Sequence, residues 1–361
     1  MRGSIQKKNN IYYAIVPLGH RKRKWFRGGT TKKDAQKVLT EKLSELDNGT
    51  FREIQKATLK EFVDIWLKNY VEGTLKPSTA RGYRGTLGRL TKVYGDYDLM
   101  AINAGHLQKY LTTRSNEENL KPKTVCNQAV IIKELFKFAY EWGYTKVNPG
   151  QFLKRPKVPK HEIEILGPDE VNLFLKALEE QNNHYRIAFL TDIYTGLRSG
   201  ELWALTWGDI DWQGKQIIVR RSVWKGQFQT PKSDYSVRKV DVPDELMHQF
   251  KLWKMACPVN EHNLLFPSRE GKLSAHGNVV RRHFKPMLDI AGIKKVSFHS
   301  IRHTNVSLRI RANQNIKYIQ QQLGHSSINI TLDIYGHLFN DTNFARQQVE
   351  LLTLSLGNLN Y

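Results

Sequence analysis

The chain has 361 residues, with 56 lysines and arginines against 34 acidic residues, a formal net charge of +22 and a pI near 9.8. That length makes room for two or three domains with full cores, and that charge favours nucleic acid as the partner over a ribosomal or membrane-surface site. No long apolar run or basic amphipathic anchor supports membrane attachment, Met1–Asn10 lacks a signal-peptide core, and Cys126 and Cys257 match no metal spacing, so a reduced, cytoplasmic protein is expected.

Residues 1–57 and 58–160 each carry a net charge of +9, and residues 161–361 only +4. Residues 1–55 read as a small β-plus-helix module. Ile11-Tyr12-Tyr13-Ala14-Ile15-Val16 is rich in strand formers, Asn9-Asn10 offers a turn ahead of it, and a short strand near Lys24–Arg27 ends at Gly28-Gly29. Thr31 caps a helix to about Leu46, with Ala35, Val38, Leu39, Leu43 and Leu46 at helical spacing. The run Arg21-Lys22-Arg23-Lys24 beside Trp25 suits a grip on phosphates, although such runs also serve as plain solvated faces.

Thr50–Ala57 reads as a linker, and residues 58–145 give four helical patterns. They are Leu59–Leu67; a stretch after Pro77-Ser78-Thr79 bearing Arg81, Arg84, Arg89 and Lys92; His106–Thr113; and one from near Thr124 with Val130, Ile131, Leu135, Phe136 and Tyr140. Pro77 and Pro122 mark helix starts, and Gly95 and Gly143 helix stops. Basic residues on the second helix are candidates for DNA backbone or groove contacts. Thr145–Glu162 is the clearest boundary. Its Pro149, Gly150, Pro156 and Pro159 alternate with Lys154, Arg155, Lys157 and Lys160, a stiff positive segment able to lie along phosphates.

The third region opens with the helix-start signal Gly167-Pro168-Asp169-Glu170. Helices are expected at Val171–Glu180, Tyr185–Tyr194, Glu245–Met255, Asn278–Ile290, Ser300–Arg311 and Ile316–Leu323. Strands are expected at Ile217–Val219 and Ser236–Val240, flanking a turn at Thr230-Pro231-Lys232-Ser233.

Attack on a phosphodiester needs an in-line nucleophile, charge held on the non-bridging oxygens, a base and an acid. Asp209 and Asp211 form no convincing Mg²⁺ cluster. Arginine supplies fixed charge in a fork that matches phosphate. Arg198 follows a glycine in Thr195-Gly196-Leu197-Arg198, and Arg302 lies three residues after His299, on one helical face.

Five boxes stand in order: Gly196-Leu197-Arg198-Ser199-Gly200-Glu201, Lys232 in a hairpin, His299-Ser300-Ile301-Arg302-His303, Leu323-Gly324-His325, and Tyr335 ten residues on. Over residues 165–340 they resemble the tyrosine recombinases, the phage integrase-like family. The resemblance implies that Tyr335 attacks the scissile phosphate to give a 3′-phosphotyrosyl link, with neither metal nor ATP as cofactor. It implies that Arg198 and Arg302 clamp the phosphate, Lys232 protonates the leaving oxygen, His299 assists proton transfer, His325 donates to the phosphate and Glu201 orients its neighbours. Lys225 and Lys239 share the hairpin region and compete with Lys232.

The layout resembles mobile-element integrases: residues 1–55 for arm sites, 58–150 for core sites, and 162–361 catalytic with a C-terminal tail. The fold implied is mostly α with small β elements: an N-terminal three-stranded sheet plus helix, a helical core-binding bundle and a mixed α/β catalytic domain. The implied partners are double-stranded DNA at core and arm sites, three further copies of the chain in a tetramer, a host DNA-bending factor and an excisionase. Phe344, Val349, Leu352 and Leu356 form an apolar stripe that either covers its own domain or docks on a neighbour. A chromosome-dimer resolvase, a type IB topoisomerase-like enzyme and a non-catalytic DNA-binding regulator are the alternatives.

Overall fold

The computed structural model describes residues 3–19, 22–49, 51–159, 163–181, 184–230, 237–335, 346, 349–350 and 352–353. Backbone contacts divide it at the proline- and lysine-rich stretch into two units, Met1–Lys160 and His161–Tyr361.

In the first unit, β1 (Ser4–Lys8), β2 (Ile11–Gly19) and β3 (Lys22–Gly29) form an antiparallel sheet in that order. Asparagine tolerates positive φ, so Asn9 and Asn10 (φ 47° and 60°) close the first hairpin as expected. Helix α1 (Lys32–Asp47) is capped by Thr31, whose Oγ1 accepts from the Asp34 N–H. It packs Val38, Leu39 and Leu43 against Ala14, Val16 and Phe26. A Cβ on Gly28 would sit 2.3 Å from the Ala35 Cα, so glycine is what lets helix and sheet approach this closely. Strand alternation splits the basic run: Lys24 shares a face with Phe26 and ion-pairs with Glu53, while Arg23 shares the other with Trp25 and Arg27.

A capping box between Thr58 and Glu61 starts α2 (Leu59–Trp66). Where the sequence pattern ends, the chain instead widens into a π turn, Leu67–Val71, and runs on into α3 (Glu72–Thr74). The widening coincides with Trp66 stacking on Tyr70 and Tyr83, at 5.5 and 5.7 Å. Then follow α4 (Pro77–Tyr94), α5 (Ala104–Asn116) and α6 (Pro122–Glu141), around Phe62, Leu87, Leu90, Leu107, Ile132 and Phe136. Both expected linkers are tied to this bundle over part of their length. Arg52 donates to the Tyr140 carbonyl at 3.1 Å and lies 4.5 Å from its ring. Leu153 is buried, the Lys154 N–H donates to Gln108 at 2.9 Å, and the Cys126 thiol donates to the Pro156 carbonyl at 3.2 Å.

The second unit begins with α7 (Pro168–Glu180), α8 (Arg186–Thr195) and α9 (Ser199–Leu202). β4 (Ile210–Asp211) and β5 (Gln216–Val219) come next, then a hairpin of β6 (Ser222–Trp224) and β7 (Gln227–Gln229), then β8 (Arg238–Asp241). The sheet order is β4-β5-β8, antiparallel throughout. The β6–β7 hairpin was not anticipated; its turn is Lys225-Gly226 at φ 49° and 74°. Helices α10 (Asp244–Ala256), α11 (His276–Val279) and α12 (Lys285–Ile290) follow, the last two joined by a π turn where one helix was expected. The chain then forms α13 (Phe298–Arg311), α14 (Ile316–Leu323) and α15 (Ile328–Tyr335). Phe174, Phe189, Trp203, Phe250, Phe284 and Phe298 fill the main core, and Val306, Ile310, Ile319, Leu323 and Tyr335 a smaller one.

Candidate active site

Helix α8 ends at Gly196 in the left-handed conformation (φ 60°, ψ 35°). Asn305, from α13, holds that end by donating to the Ile193 and Tyr194 carbonyls at 2.7 and 2.9 Å. A Cβ on Gly196 would lie 2.8 Å from Asn305 Oδ1, so both φ and space demand glycine. The turn delivers Arg198 to the start of α9, where Glu201 accepts from its backbone N–H at 3.0 Å and from Nη1 at 2.8 Å.

The carbonyls of a helix's last turn lack partners within the helix and carry partial negative charge. At the end of α14, where Gly324 is left-handed (φ 64°, ψ 45°), three guanidinium groups take three successive carbonyls. Arg238 Nε donates to Gln322 at 2.7 Å, Arg302 Nη2 to Leu323 at 2.8 Å, and Arg198 Nη2 to Gly324 at 3.0 Å. Arg302 Nη1 also donates to the Gly196 carbonyl at 2.5 Å, linking the two glycine turns. Glu201 sits between Arg198 and Arg238, accepting from Arg238 Nη2 at 2.9 Å. Among the described residues, the bonds from Arg198 and Arg302 use two of the five donors each guanidinium carries.

Burial alone would raise the Glu201 carboxyl, but Arg238 and Arg198 hold it down at about 2. Burial and the neighbouring charge of Arg198 bring Arg302 down to about 9. Burial, then Arg302 and Arg198, bring His325 down to about 3; its Nδ1 is hydrogen-bonded to Thr331 Oγ1 at 2.9 Å. Burial, His299 and Arg302 lower His303 to about 4, and partial desolvation, Arg302 and Arg198 also depress His299, whose side chain still reaches the surface. His303 Nδ1 is hydrogen-bonded to the Tyr335 hydroxyl, and the His299 ring meets His303 edge-on at 4.8 Å. Burial raises the Tyr335 phenol against the pull of Arg302. At neutral pH the imidazoles are therefore uncharged, and one of them, His303, is in direct hydrogen-bond contact with the protonated phenol. Asp192, fully buried in α8, is raised well above the usual carboxyl range by burial despite Arg302, and its Oδ1 has no hydrogen-bond partner among the described residues.

These shifts fix a pH dependence of stability. His325 and His303 titrate at about 3 and 4 folded but near 6.5 when unfolded, so the unfolded chain binds more protons between those values. Their contribution to stability is therefore complete above about pH 6.5 and is lost as pH falls toward 4 for His303 and 3 for His325. The urea midpoint of the free protein should fall between pH 7 and pH 5, and His325→Gln should flatten the slope. An unaltered slope in that variant would assign the loss to other groups.

Two family models match the chain: the phage integrase family over residues 164–341, and the phage integrase N-terminal SAM-like domain over residues 58–115. The first spans every site residue described here. The chain belongs to the phage integrase family. It is a tyrosine recombinase, a site-specific enzyme that transfers DNA strands. A tyrosine recombinase XerC-like protein of Caldanaerobacter subterraneus subsp. tengcongensis is 28% identical over 344 residues, 86% of this chain and 87% of that protein. The ICEBs1 integrase of Bacillus subtilis is 27% identical, over 62% of this chain and 64% of that one. Among solved structures, the Tn1549 transposon integrase in complex with a circular intermediate DNA has a TM-score of 0.68 at 23% identity, covering 82% of this chain and 99% of that one. A lambda integrase tetramer bound to a Holliday junction has a TM-score of 0.61 at 19% identity, covering 89% and 96%.

In this recombinase Arg198, Glu201, His299, Arg302, His325 and Tyr335 fall on the elements that converge at the ends of α8 and α14. Lys232 lies outside the described residues, as does Arg21. Of its rivals, Lys225 sits in the β6–β7 turn over the Trp224 ring, and Lys239 lies 4.0 Å from Asp211. Lys22, Arg23, Arg81, Lys154, Arg155 and Lys157 are exposed, and Arg84 ion-pairs with Glu72 at 2.6 Å. Val349 and Leu352 of the tail are exposed, and Phe344 and Leu356 lie outside the described residues. Sequence reasoning passed over Arg238, Asn305 and the bond from His303 to Tyr335. Arg238 carried one usable signal: it shares a strand face with the buried Val240. Among the described residues no helix is long and apolar enough to cross a membrane.

Proposed function

We propose that this recombinase cuts and rejoins double-stranded DNA through Tyr335 to integrate or excise a mobile element. The Tyr335 oxygen attacks the scissile phosphorus, the new 3′-phosphotyrosyl bond forms as the P–O5′ bond breaks, and the phenol's proton passes to the His303–His299 pair. A proton from Lys232 goes to the departing 5′ oxygen. Arg198 and Arg302 hold the non-bridging oxygens, His325 donates to them, and Glu201 orients Arg198. Arginine does the charge work, and the phosphotyrosyl bond stores the energy for rejoining, so the reaction runs without metal or ATP.

The observation that carries this reading is the seating of Arg198 and Arg302 on adjacent carbonyls of α14, with His303 bonded to the Tyr335 hydroxyl. Residues 1–55 bind arm sites, through Arg21–Lys24, and 58–150 core sites, with Arg81 and Arg84 on the bundle and Lys154, Arg155 and Lys157 along the phosphates. Residues 162–361 are the catalytic domain. The likeness to an integrase captured on circular intermediate DNA, and to a lambda integrase tetramer on a Holliday junction, supports a mobile element as substrate and a tetramer as the working form. A host bending factor and an excisionase complete the cytoplasmic assembly.

The test uses DNA flanking the encoding gene, narrowed by footprinting and built into a nicked suicide substrate. In EDTA and without ATP, an SDS-resistant complex should form, with the nucleotide on the peptide containing Tyr335. An adduct on Tyr318 or Tyr361 would move the nucleophile, and none on footprinted DNA would favour a non-catalytic regulator.

A further inference from the structure

We propose that Arg238 is a positioning residue for strand cleavage, a third arginine that keeps Glu201 and the end of α14 in the arrangement Arg198 needs. The assignment rests on the phosphotyrosyl reaction, in which Arg198 holds charge on the scissile phosphate.

The Arg238 and Glu201 side chains are 7% and 6% exposed, so neither pairs as an ordinary surface ion does. One guanidinium reaches two elements at once, with Nη2 on Glu201 in α9 and Nε on the Gln322 carbonyl of α14. Those are the same two elements that hold Arg198, through Glu201 Oε1 and the Gly324 carbonyl. The two guanidinium groups therefore grip opposite oxygens of one carboxylate, with the Arg198 backbone N–H sharing Oε2 with Arg238, and carbonyls two residues apart on one helix end. Further bonds fix the strand to the helix. The Asp241 N–H donates to Gln322 Oε1 at 2.8 Å, while Gln322 Nε2 and the Tyr318 hydroxyl donate to Asp241 Oδ2 at 2.9 and 2.8 Å. Without Arg238, the side chain of Glu201 keeps, among the described residues, only the Arg198 backbone N–H and guanidinium as partners, and the frame that sets the direction of Arg198 loses its side facing the strand. A displacement of about 1 Å in such a frame costs on the order of 100-fold in rate.

The test is single-turnover cleavage by Arg238→Gln in the full-length protein, with ordinary and modified suicide substrates. On ordinary DNA, cleavage should fall on the order of 100-fold, while non-covalent affinity stays within about threefold because Arg238 faces protein. A methylphosphonate at the scissile position removes the negative charge that Arg198 holds. It should return roughly tenfold or more of the lost rate in Arg238→Gln, as in Arg198→Ala. A 5′-bridging phosphorothiolate, whose sulfur leaves without a proton, should not. Recovery on the sulfur substrate alone would mean that Arg238 serves only the general acid, and the assignment would fall. Glu201→Gln combined with Arg238→Gln should be no slower than the worse single variant; additive losses would also overturn it. If Arg238→Gln fails to fold, Arg238→Lys, which keeps the charge facing Glu201, is read the same way with a smaller loss. Wild-type protein that forms no covalent complex would defeat the phosphotyrosyl reading itself; wild-type and Arg238→Gln cleaving equally fast would defeat only the role of Arg238.

Discussion

Tyr335→Phe should abolish covalent DNA attachment while leaving a folded protein that still binds its site. The substitution removes one hydroxyl and its bond to His303, and keeps the ring against Val306, Ile310, Ile319 and Leu323. Losing a single hydrogen bond of this kind costs about 1 kcal/mol, well within the reserve of a domain this size. No remaining group on the ring can attack phosphorus, so the trapped complex should fall below detection while a gel shift with the same DNA is retained. Mixing this variant with Arg198→Ala asks a second question. If each protomer supplies its own tyrosine, every site in the mixture lacks either nucleophile or clamp, and none cleaves. If the tyrosine is donated between neighbours, cleavage returns in the mixture alone. Adduct formation by Tyr335→Phe itself would end the assignment of the nucleophile.

Glu201→Ala should damage stability and cleavage together. The carboxylate is 6% exposed and faces Arg198 and the buried Arg238. Taking one partner from a buried ion pair costs about 3–5 kcal/mol, because the other charge stays behind in a medium that solvates it poorly. That is a large part of the roughly 5–15 kcal/mol that holds a typical domain together, so the urea midpoint should fall steeply. Glu201→Gln retains an oxygen acceptor and the side-chain volume, and should recover much of the stability yet little of the cleavage, since a neutral amide orients a guanidinium weakly. Equal stability of wild type and Glu201→Ala would show that the two arginines find other counter-charges. Since the carboxyl titrates at about 2 in the folded protein, against 4.5 unperturbed, its contribution is complete above about pH 4.5 and is lost only as pH falls toward 2.

Much of the site could be read from the sequence because its chemistry uses scarce residue types at short, fixed spacing. His299 and Arg302 share a helical face, and Gly196 and Gly324 mark helix ends at which only glycine fits easily. Helix α14 falls at its expected bounds because Asn315 and Gly324 punctuate it at both ends. What was not legible depends on partners distant in sequence. Arg238 reads as one more charge in a strand until Glu201, 37 residues earlier, is folded against it. His303 is one of two candidate imidazoles until the fold shows which meets the phenol. Composition marked the linkers but not their partners: Gln108, Cys126, Tyr140 and Gly143 of the bundle bind backbone or side chains over part of their length. The π turns were equally hidden, since a widened helix keeps the same kinds of residue on its buried face.

The three arginines hold main-chain oxygens at the end of α14, and every amino acid brings such an oxygen. The anchoring is therefore indifferent to which side chain stands at Leu323, provided it fills the same space, and sensitive to Gly324, whose backbone sets where those oxygens aim. Over evolutionary drift the grip itself places no demand on the lettering of this short helix, whose side chains answer instead to the core and to Asp241, so long as the glycine hinge is inherited.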